Sequence, residues 1–471
     1  QFESLPTENL AALEAYFRGK QELEKYTSIA LAAAIPYFER AIELDPNFAQ
    51  AYAGLARTLL HQVWFSSFPV AQQTALAEPL ISRAMELNDQ LPEAWVELGS
   101  LQNQRGESGA AESAFKRAIE LGPNTANAFK AYGSFLQWSG NDPATAVEVL
   151  RQATLVDPQD PGAKIMLASA LASNFQHDEA LAILMDPKLP AERLSRFDTL
   201  ANLHQSSFHR YDLAIPALRS ALAIDPNGNS ELLRRMSDCY RSLGDHEQGH
   251  FWRQRYFSQQ NQNDESKFWG AWEHLLDGDA PAAHAVIATI NSESNFYPST
   301  RYLVFRLSED PATRQAAVEQ YEKAAPELLD STQPIGDRVG FLIHTEMLWR
   351  LGETEKAQSQ ARRVIASLPA QPQARWQLID QVVAAYALAG ETPQALQELR
   401  AYVEKDGAIN YRSNHIPPWQ SMTREILQHE PDFRELVAIM DERLAEQRAN
   451  IERMEANGEL APIPDPIEDP L

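Results

Sequence analysis

Cysteine is almost absent from this chain. Its 471 residues hold one, Cys239, which excludes an internal disulfide and any zinc or iron–sulfur site built from several thiolates. Positive charge is also scarce: 41 Lys and Arg stand against 65 Asp and Glu, a formal net charge of -24. Phosphate backbones are held by Lys and Arg, so this balance argues against a nucleic-acid surface in this segment. No window approaches the roughly 18–20 unbroken apolar residues of a membrane-spanning helix. Gly-rich phosphate loops ending in GK[ST] and G-x-S-x-G turns are both missing. The chain opens on Gln1 without a signal-peptide pattern, and reads as a processed protein or part of a longer one. Glycine is outnumbered by proline, 20 to 29, which at first sight suggests loops. At about 150 residues per domain the length suggests roughly three domains.

The residues that are present carry a period. A small residue, a large apolar one four later, a small or apolar one three after that and then Pro recur as Ala34, Phe38, Ala41, Pro46. The phrase returns as Ala111, Phe115, Ala118, Pro123, then as Ala146, Leu150, Ala153, Pro158, and as Ala214, Leu218, Ala221, Pro226. The opening small residue falls at Ala34, Ala77, Ala111, Ala146, Ala180, Ala214, Gly249, Ala283, Ala317, Ala357 and Ala395. Most of the gaps are 34 or 35 residues, and the first, from Ala34 to Ala77, is 43. Each period also holds an earlier phrase, such as Trp95, Leu98, Gly99 or Phe129, Tyr132, Gly133. Apolar residues three and four apart predict two helices per period, each with one buried stripe. Gly-Asp or Gly-Glu pairs at 106–107, 244–245, 352–353 and 390–391 supply the turn between them. Pro46, Pro123, Pro158, Pro226 and Pro369 close the second helix. One helix pair cannot bury its own face, so the pairs must stack.

Residues 92–125 carry Trp95, Leu98, Gly99, Gly106, Ala111, Phe115, Ala118 and Pro123, which resembles the tetratricopeptide (TPR) pattern except for Gln102 at its tyrosine position. The resemblance covers about 10–405 and is specific over 30–257 and 337–405. It implies an all-α, right-handed superhelix (α-solenoid) of about eleven helix pairs. The expected organisation is an N-terminal array over 1–257, degenerate helix pairs over 258–336, C-terminal pairs over 337–410, capping helices over 411–456 and a solvated acidic, Pro-rich tail over 457–471. The two ends narrow the resemblance. Ala41-Ile42-Glu43-Leu44-Asp45-Pro46-Asn47-Phe48 near the start and Glu430-Pro431-Asp432-Phe433-Arg434-Glu435-Leu436 near the close are similar to the C-terminal TPR region of bacterial CadC-like membrane transcriptional regulators and of TPR-containing cyclases and kinases. That likeness implies a sensor or interaction module, on the periplasmic side of a membrane-anchored regulator or in the cytoplasm. A free-standing scaffold for an envelope or polysaccharide assembly is the second reading.

In such arrays the first helix of each pair lines the concave face. Here this gives Glu93, Val96, Ser100 and Asn103, then Asn127, Lys130, Ser134 and Gln137, then Glu231, Arg234, Asp238 and Arg241. The Lys and Asn set with which chaperone-linked members clamp a peptide's terminal carboxylate is not assembled, because only Lys130 fits and Ser134 stands where Asn is needed. With a negative field over the whole chain, a basic or neutral protein or peptide is the expected partner. Trp64, Phe65 and Phe68 lie where the second period is nine residues longer than the usual 34. They either pack back on the array or present an aromatic patch. His246-Glu247-Gln248-Gly249-His250 spells the HExxH signature of zinc proteases. The repeat register opposes that chemistry: Gly244-Asp245 is a turn, His246 opens a second helix and faces solvent, and Gly249 is its packing residue. Cys239 reads as a small core residue. No catalytic residue, metal or cofactor is expected.

Overall fold

The computed structural model describes residues 6–64, 69–139, 142–190, 193–226, 230–258, 264–276, 278–291, 297–330, 335, 338–370, 372–376, 378–411 and 418–463. Among these residues there is no β-strand. The α-helices come in antiparallel pairs and their contacts run mainly between neighbours in the chain. The residues divide into two compact units, residues 1–205, 213–235 and 458–471 in the first, and 206–212 with 236–457 in the second.

Unit 1 is built from α1 (Leu10–Leu23) and α2 (Ser28–Leu44), α3 (Ala49–Gln62) and α4 (Val70–Leu87), α5 (Pro92–Gln104) and α6 (Ser108–Leu121). It continues with α7 (Ala126–Trp138) and α8 (Pro143–Val156), α9 (Pro161–Ser173) and α10 (His177–Leu184), then α11 (Leu194–Asn202) and most of α12 (Tyr211–Ile224). The next helix, α13 (Ser230–Ser242), spans the division. Unit 2 holds its second half and α14 (His246–Ser258), α15 (Asp264–Leu276), α16 (Ala280–Ile287), α17 (Tyr297–Leu307) and α18 (Pro311–Ala324). After these come α19 (Arg338–Arg350), α20 (Thr354–Ala366), the short α21 (Pro372–Trp376), α22 (Ile379–Leu388), α23 (Thr392–Val403), α24 (Pro418–Leu427) and the long α25 (Pro431–Ala456).

The periodic small residue explains the pairing. Ala34, Ala77, Ala111, Ala146, Ala180, Ala214, Ala283, Ala317, Ala357 and Ala395 are all buried, and each lets the first helix of its pair approach the second. Glycine on the first helix completes the fit. A Cβ at Gly99 would lie 2.8 Å from the Phe115 ring, and one at Gly133 would lie 2.5 Å from Leu150 Cγ. Gly133→Val is therefore expected to lower unit 1 stability by about 1–3 kcal/mol through overpacking. Gly109→Ala, with nothing within 4 Å of its Cβ, is expected to raise it by a few tenths to about 1 kcal/mol. Urea unfolding of the two variants beside the parent chain checks both.

The inter-helix turns need left-handed backbone, and Gly106, Gly244, Gly352 and Gly390 supply it with φ between 79° and 81°. Phe175 takes the same turn between α9 and α10 at φ 61°, a conformation a bulky side chain rarely adopts. The closing prolines behave as punctuation: α2, α6, α8 and α12 each stop two residues before Pro46, Pro123, Pro158 and Pro226.

Two contacts tie distant parts of unit 1 together. The buried carboxylate of Asp225, just beyond α12, accepts hydrogen bonds from the Ser28 backbone N–H at 2.7 Å and its hydroxyl at 2.9 Å, at the start of α2. Beyond α25, Leu460 is buried and Arg219 of α12 donates to the Ala461 carbonyl at 2.7 Å. The beginning of the acidic tail is thus packed on unit 1 rather than wholly solvated.

Candidate functional site

The first helices of consecutive pairs in unit 1 present one face to the buried seam and the opposite face to a cavity of about 580 Å³. The cavity wall is built from the end of α1, from α3, α5, α7 and α9, and from the start of α11. Of the residues picked out by the repeat register, Val96, Ser100, Asn103, Asn127, Lys130 and Ser134 all line it. The register places them there because positions on one helix face recur every three or four residues.

Two members of the same set lie elsewhere. Gln137 is buried, and its amide donates to the Ser169 and Ser173 hydroxyls, each at 2.9 Å, joining α7 to α9. Glu93 is half-buried at the first turn of α5, off the cavity wall. The set on α13 faces other side chains of the protein. Arg234 pairs with Glu231 one turn earlier, and Asp238 accepts from Arg253 at 2.7 Å. Arg241 is buried against Glu273 of α15, whose carboxylate also lies 3.4 Å from Arg253. Helices α14 and α15 engage Asp238 and Arg241 with ion pairs, which the repeat spacing alone does not reveal.

Trp64 lines the cavity and is 57% exposed, while Phe65 and Phe68 lie outside the described residues. Trp138 joins Trp64 on the cavity wall with 63% exposure. These are large aromatic faces left in water beside a cavity of mixed polar and apolar lining, the composition of a recognition surface.

The structure adds residues that the sequence reading passed over. Arg57 of α3 lines the cavity without any hydrogen bond or ion pair among the described residues. It stands 43 residues before Ser100, the same step as from Ala34 to Ala77, so the longer second period conceals the equivalence. Glu97 is 2% exposed, and burial pushes its carboxyl up to about 8 against the opposing attraction of Arg57. Burial, with the charges of Arg57 and Lys130, holds the His61 imidazole well below its ordinary range, and its Nδ1 has no hydrogen-bond partner among the described residues. Lys130 is shifted down by burial and by Arg57, although its Nζ sits 2.6 Å from Asp160 Oδ2. The other oxygen of Asp160 caps α9 by accepting the Gly162 N–H at 2.8 Å.

The HExxH string occupies the start of α14. His246, Glu247 and His250 are exposed there, and buried Gly249 packs its Cα against Arg241. Among the described residues no three His, Cys, Asp or Glu side chains gather as a metal site. Cys239 is fully buried. No helix among these residues is long and apolar enough to cross a membrane.

A stack of two-helix units with a recurring 34-residue step and a cavity lined by their first helices is tetratricopeptide architecture. Models of the tetratricopeptide repeat match residues 37–62, 70–126 and 136–186, and the chain carries TPR repeats. Among curated proteins it is similar to the transcriptional regulator HilA of Salmonella typhimurium and of Salmonella typhi. Each is 27% identical over 150 residues, which is 32% of this chain and 27% of the regulator. The match thus spans about a quarter of the length of those relatives. Solved structures similar to it include PilW, a type IV pilus biogenesis factor, at 18% identity and TM-score 0.36, covering 44% of this chain and 91% of that one. PilF of Pseudomonas aeruginosa is similar at 20% identity and TM-score 0.36, covering 45% of this chain and 96% of that one.

Proposed function

We propose that this chain is the partner-binding region of a bacterial regulatory protein, and that it captures an extended segment of another protein in the unit 1 cavity. TPR repeats are protein-interaction modules, and the fold is typically non-catalytic. The observation that carries the reading is the cavity itself. Four consecutive first helices, α3, α5, α7 and α9, contribute polar side chains to one wall, and two exposed tryptophans border it. A cavity of about 580 Å³ falls within the range of small-ligand pockets and accommodates several peptide side chains. The similarity to HilA over 150 residues supports a regulatory setting. Capture would bias the packing of successive pairs, and an attached effector would read that change.

The reading is checked by placing a photo-crosslinking amino acid at Ser134, inside the cavity, or at Glu120, on the exposed side of α6. In cells expressing the protein in its native setting, irradiation is expected to give a discrete adduct from position 134 and none from position 120. Adducts from 120 alone, or the same adducts from both, would overturn it.

A further inference from the structure

We propose that the unit 1 cavity binds an acidic peptide segment, with Arg57 and Arg193 receiving its carboxylates and Trp64 and Trp138 taking the apolar or prolyl residues beside them. The proposal rests on the groove reading above and specifies its ligand.

The argument begins with unmatched charge. Arg57 on α3 and Arg193 immediately before α11 both line the cavity, and neither makes a hydrogen bond or ion pair among the described residues. In a chain with 65 acidic and 41 basic side chains, an arginine normally finds a carboxylate. Elsewhere in unit 1 they do: Arg18, Arg83, Arg105, Arg117 and Arg151 are each ion-paired at 2.7–3.1 Å. Two leftover guanidiniums contributed to one cavity from well-separated points of the chain are therefore a local departure from the rest of the unit.

Among the described residues four acids line the cavity, Glu24, Glu97, Asp157 and Asp160, and none is bonded to either arginine. Asp160 has both oxygens engaged, by Lys130 and by the Gly162 N–H. Asp157 accepts the Gln159 N–H at 3.0 Å. Glu97 is buried and keeps its proton up to about pH 8, so near neutrality it leaves most of the Arg57 charge uncompensated. The field of Arg57 is felt by the neighbouring groups, lowering both His61 and Lys130. A guanidinium presents a fixed fork of donors that fits a carboxylate. Asn103, Asn127, Ser100 and Ser134 on the same wall offer neutral donors and acceptors to an extended backbone.

The net charge of -24 points the other way, toward a basic partner. Distance decides between them. Surface charges beyond about 8–10 Å are screened at physiological salt, whereas a carboxylate in contact with a half-buried guanidinium is not. The long-range field slows the approach of an acidic segment, and the contact holds it once it is inside.

A displayed library of random peptides, panned against the full chain at physiological salt, tests the assignment. Enriched sequences are expected to carry Asp or Glu next to Pro, Leu or aromatic residues. The best of them should lose about 10- to 100-fold in affinity when its acids become amides, and a comparable factor against Arg57→Gln/Arg193→Gln. The charge-conserving pair Arg57→Lys/Arg193→Lys should recover only part of the binding, because an ammonium keeps the charge without the fork. Far-UV circular dichroism and the urea midpoint verify that both variants fold. Enrichment of basic or uncharged peptides that Ser134→Trp blocks would overturn the acidic assignment and leave the groove reading standing. Equal affinity of the acidic peptide for the parent and the Gln variant would also overturn it. Enrichment of nothing would remove both readings.

Discussion

Replacing Glu346 with alanine is expected to destabilise unit 2 by about 3–5 kcal/mol, the usual effect of leaving buried charges without their partner. Glu346 is fully buried on α19. One oxygen accepts the Tyr302 hydroxyl of α17 at 2.7 Å, and the other accepts Arg306 at 3.2 Å and Arg350 at 2.7 Å. Arg350 continues to Glu425 of α24 at 2.9 Å. The carboxylate thus joins α17 to α19 and, through Arg350, to α24; its removal leaves the buried Tyr302 hydroxyl without its acceptor and Arg306 without a carboxylate, while Arg350 keeps only Glu425. Burial, aided by the charge on Glu346, pushes the Tyr302 phenol far up, so it remains a donor at ordinary pH. The measurement is the urea midpoint of Glu346→Ala against the parent chain. Changing Glu346→Leu, Arg306→Met, Arg350→Met and Tyr302→Phe together should recover much of the loss, because an apolar cluster of similar volume avoids the desolvation of all three ions and leaves no hydroxyl unpaired. If the single variant loses less than about 1 kcal/mol, the network is not the joint described here.

The second large effect is a dependence on pH set by Glu97. Its carboxyl titrates near 4.5 in an unconstrained chain and at about 8 when folded. A carboxyl with a raised folded pKa keeps its proton longer in the folded state, which then binds more protons than the unfolded state between those limits. Stability therefore falls as pH rises through that window. Below about 4.5 the group makes no difference, and above 8 the whole penalty of a buried carboxylate is present. Glu97→Gln should accordingly be nearly neutral at pH 5 and stabilising by roughly 2–4 kcal/mol at pH 9. Urea midpoints of the two proteins across this range should converge at the acid end and diverge at the alkaline end. Parallel curves would show that Glu97 does not titrate in the folded chain as its burial implies.

The fold was legible because its determinants repeat. Ala111 and Phe115, or Ala146 and Leu150, specify the same seam at nearly the same spacing, and every copy adds to the signal. The Gly-Asp turns were legible for a related reason, since few residues other than glycine accept φ near 80°. Phe175 escaped that rule, because its turn keeps the geometry without the residue that normally marks it. The cavity was legible in part. Ser100, Asn103, Lys130 and Ser134 follow from helical register, but Arg57 was hidden by the 43-residue step, and Arg193 lies just outside a helix. Gln137 and Arg241 show the complementary failure: register gives the face of a helix, and only tertiary packing decides what covers it. Glu346 carried no mark in the sequence, standing beside His344 and Thr345 between Phe341 and Trp349, and its partners on α17 and α24 left none either.

The hydrogen bonds from Ser28 to Asp225 span 197 residues of sequence, in a unit whose other helix contacts are mostly between adjacent elements. A linear repeat array folds from any point, and its stability is nearly a sum over repeats and their interfaces. Once its first pair is fastened to its last, that sum no longer holds. Deleting one pair from the middle removes its own interfaces and also sets the two ends out of register. The fastening must form after the pairs between have ordered, because closing so long a loop earlier carries the full entropy of the chain. Unit 1 should accordingly unfold as one cooperative body rather than fray pair by pair, and the step that releases Ser28 should govern how quickly it does so.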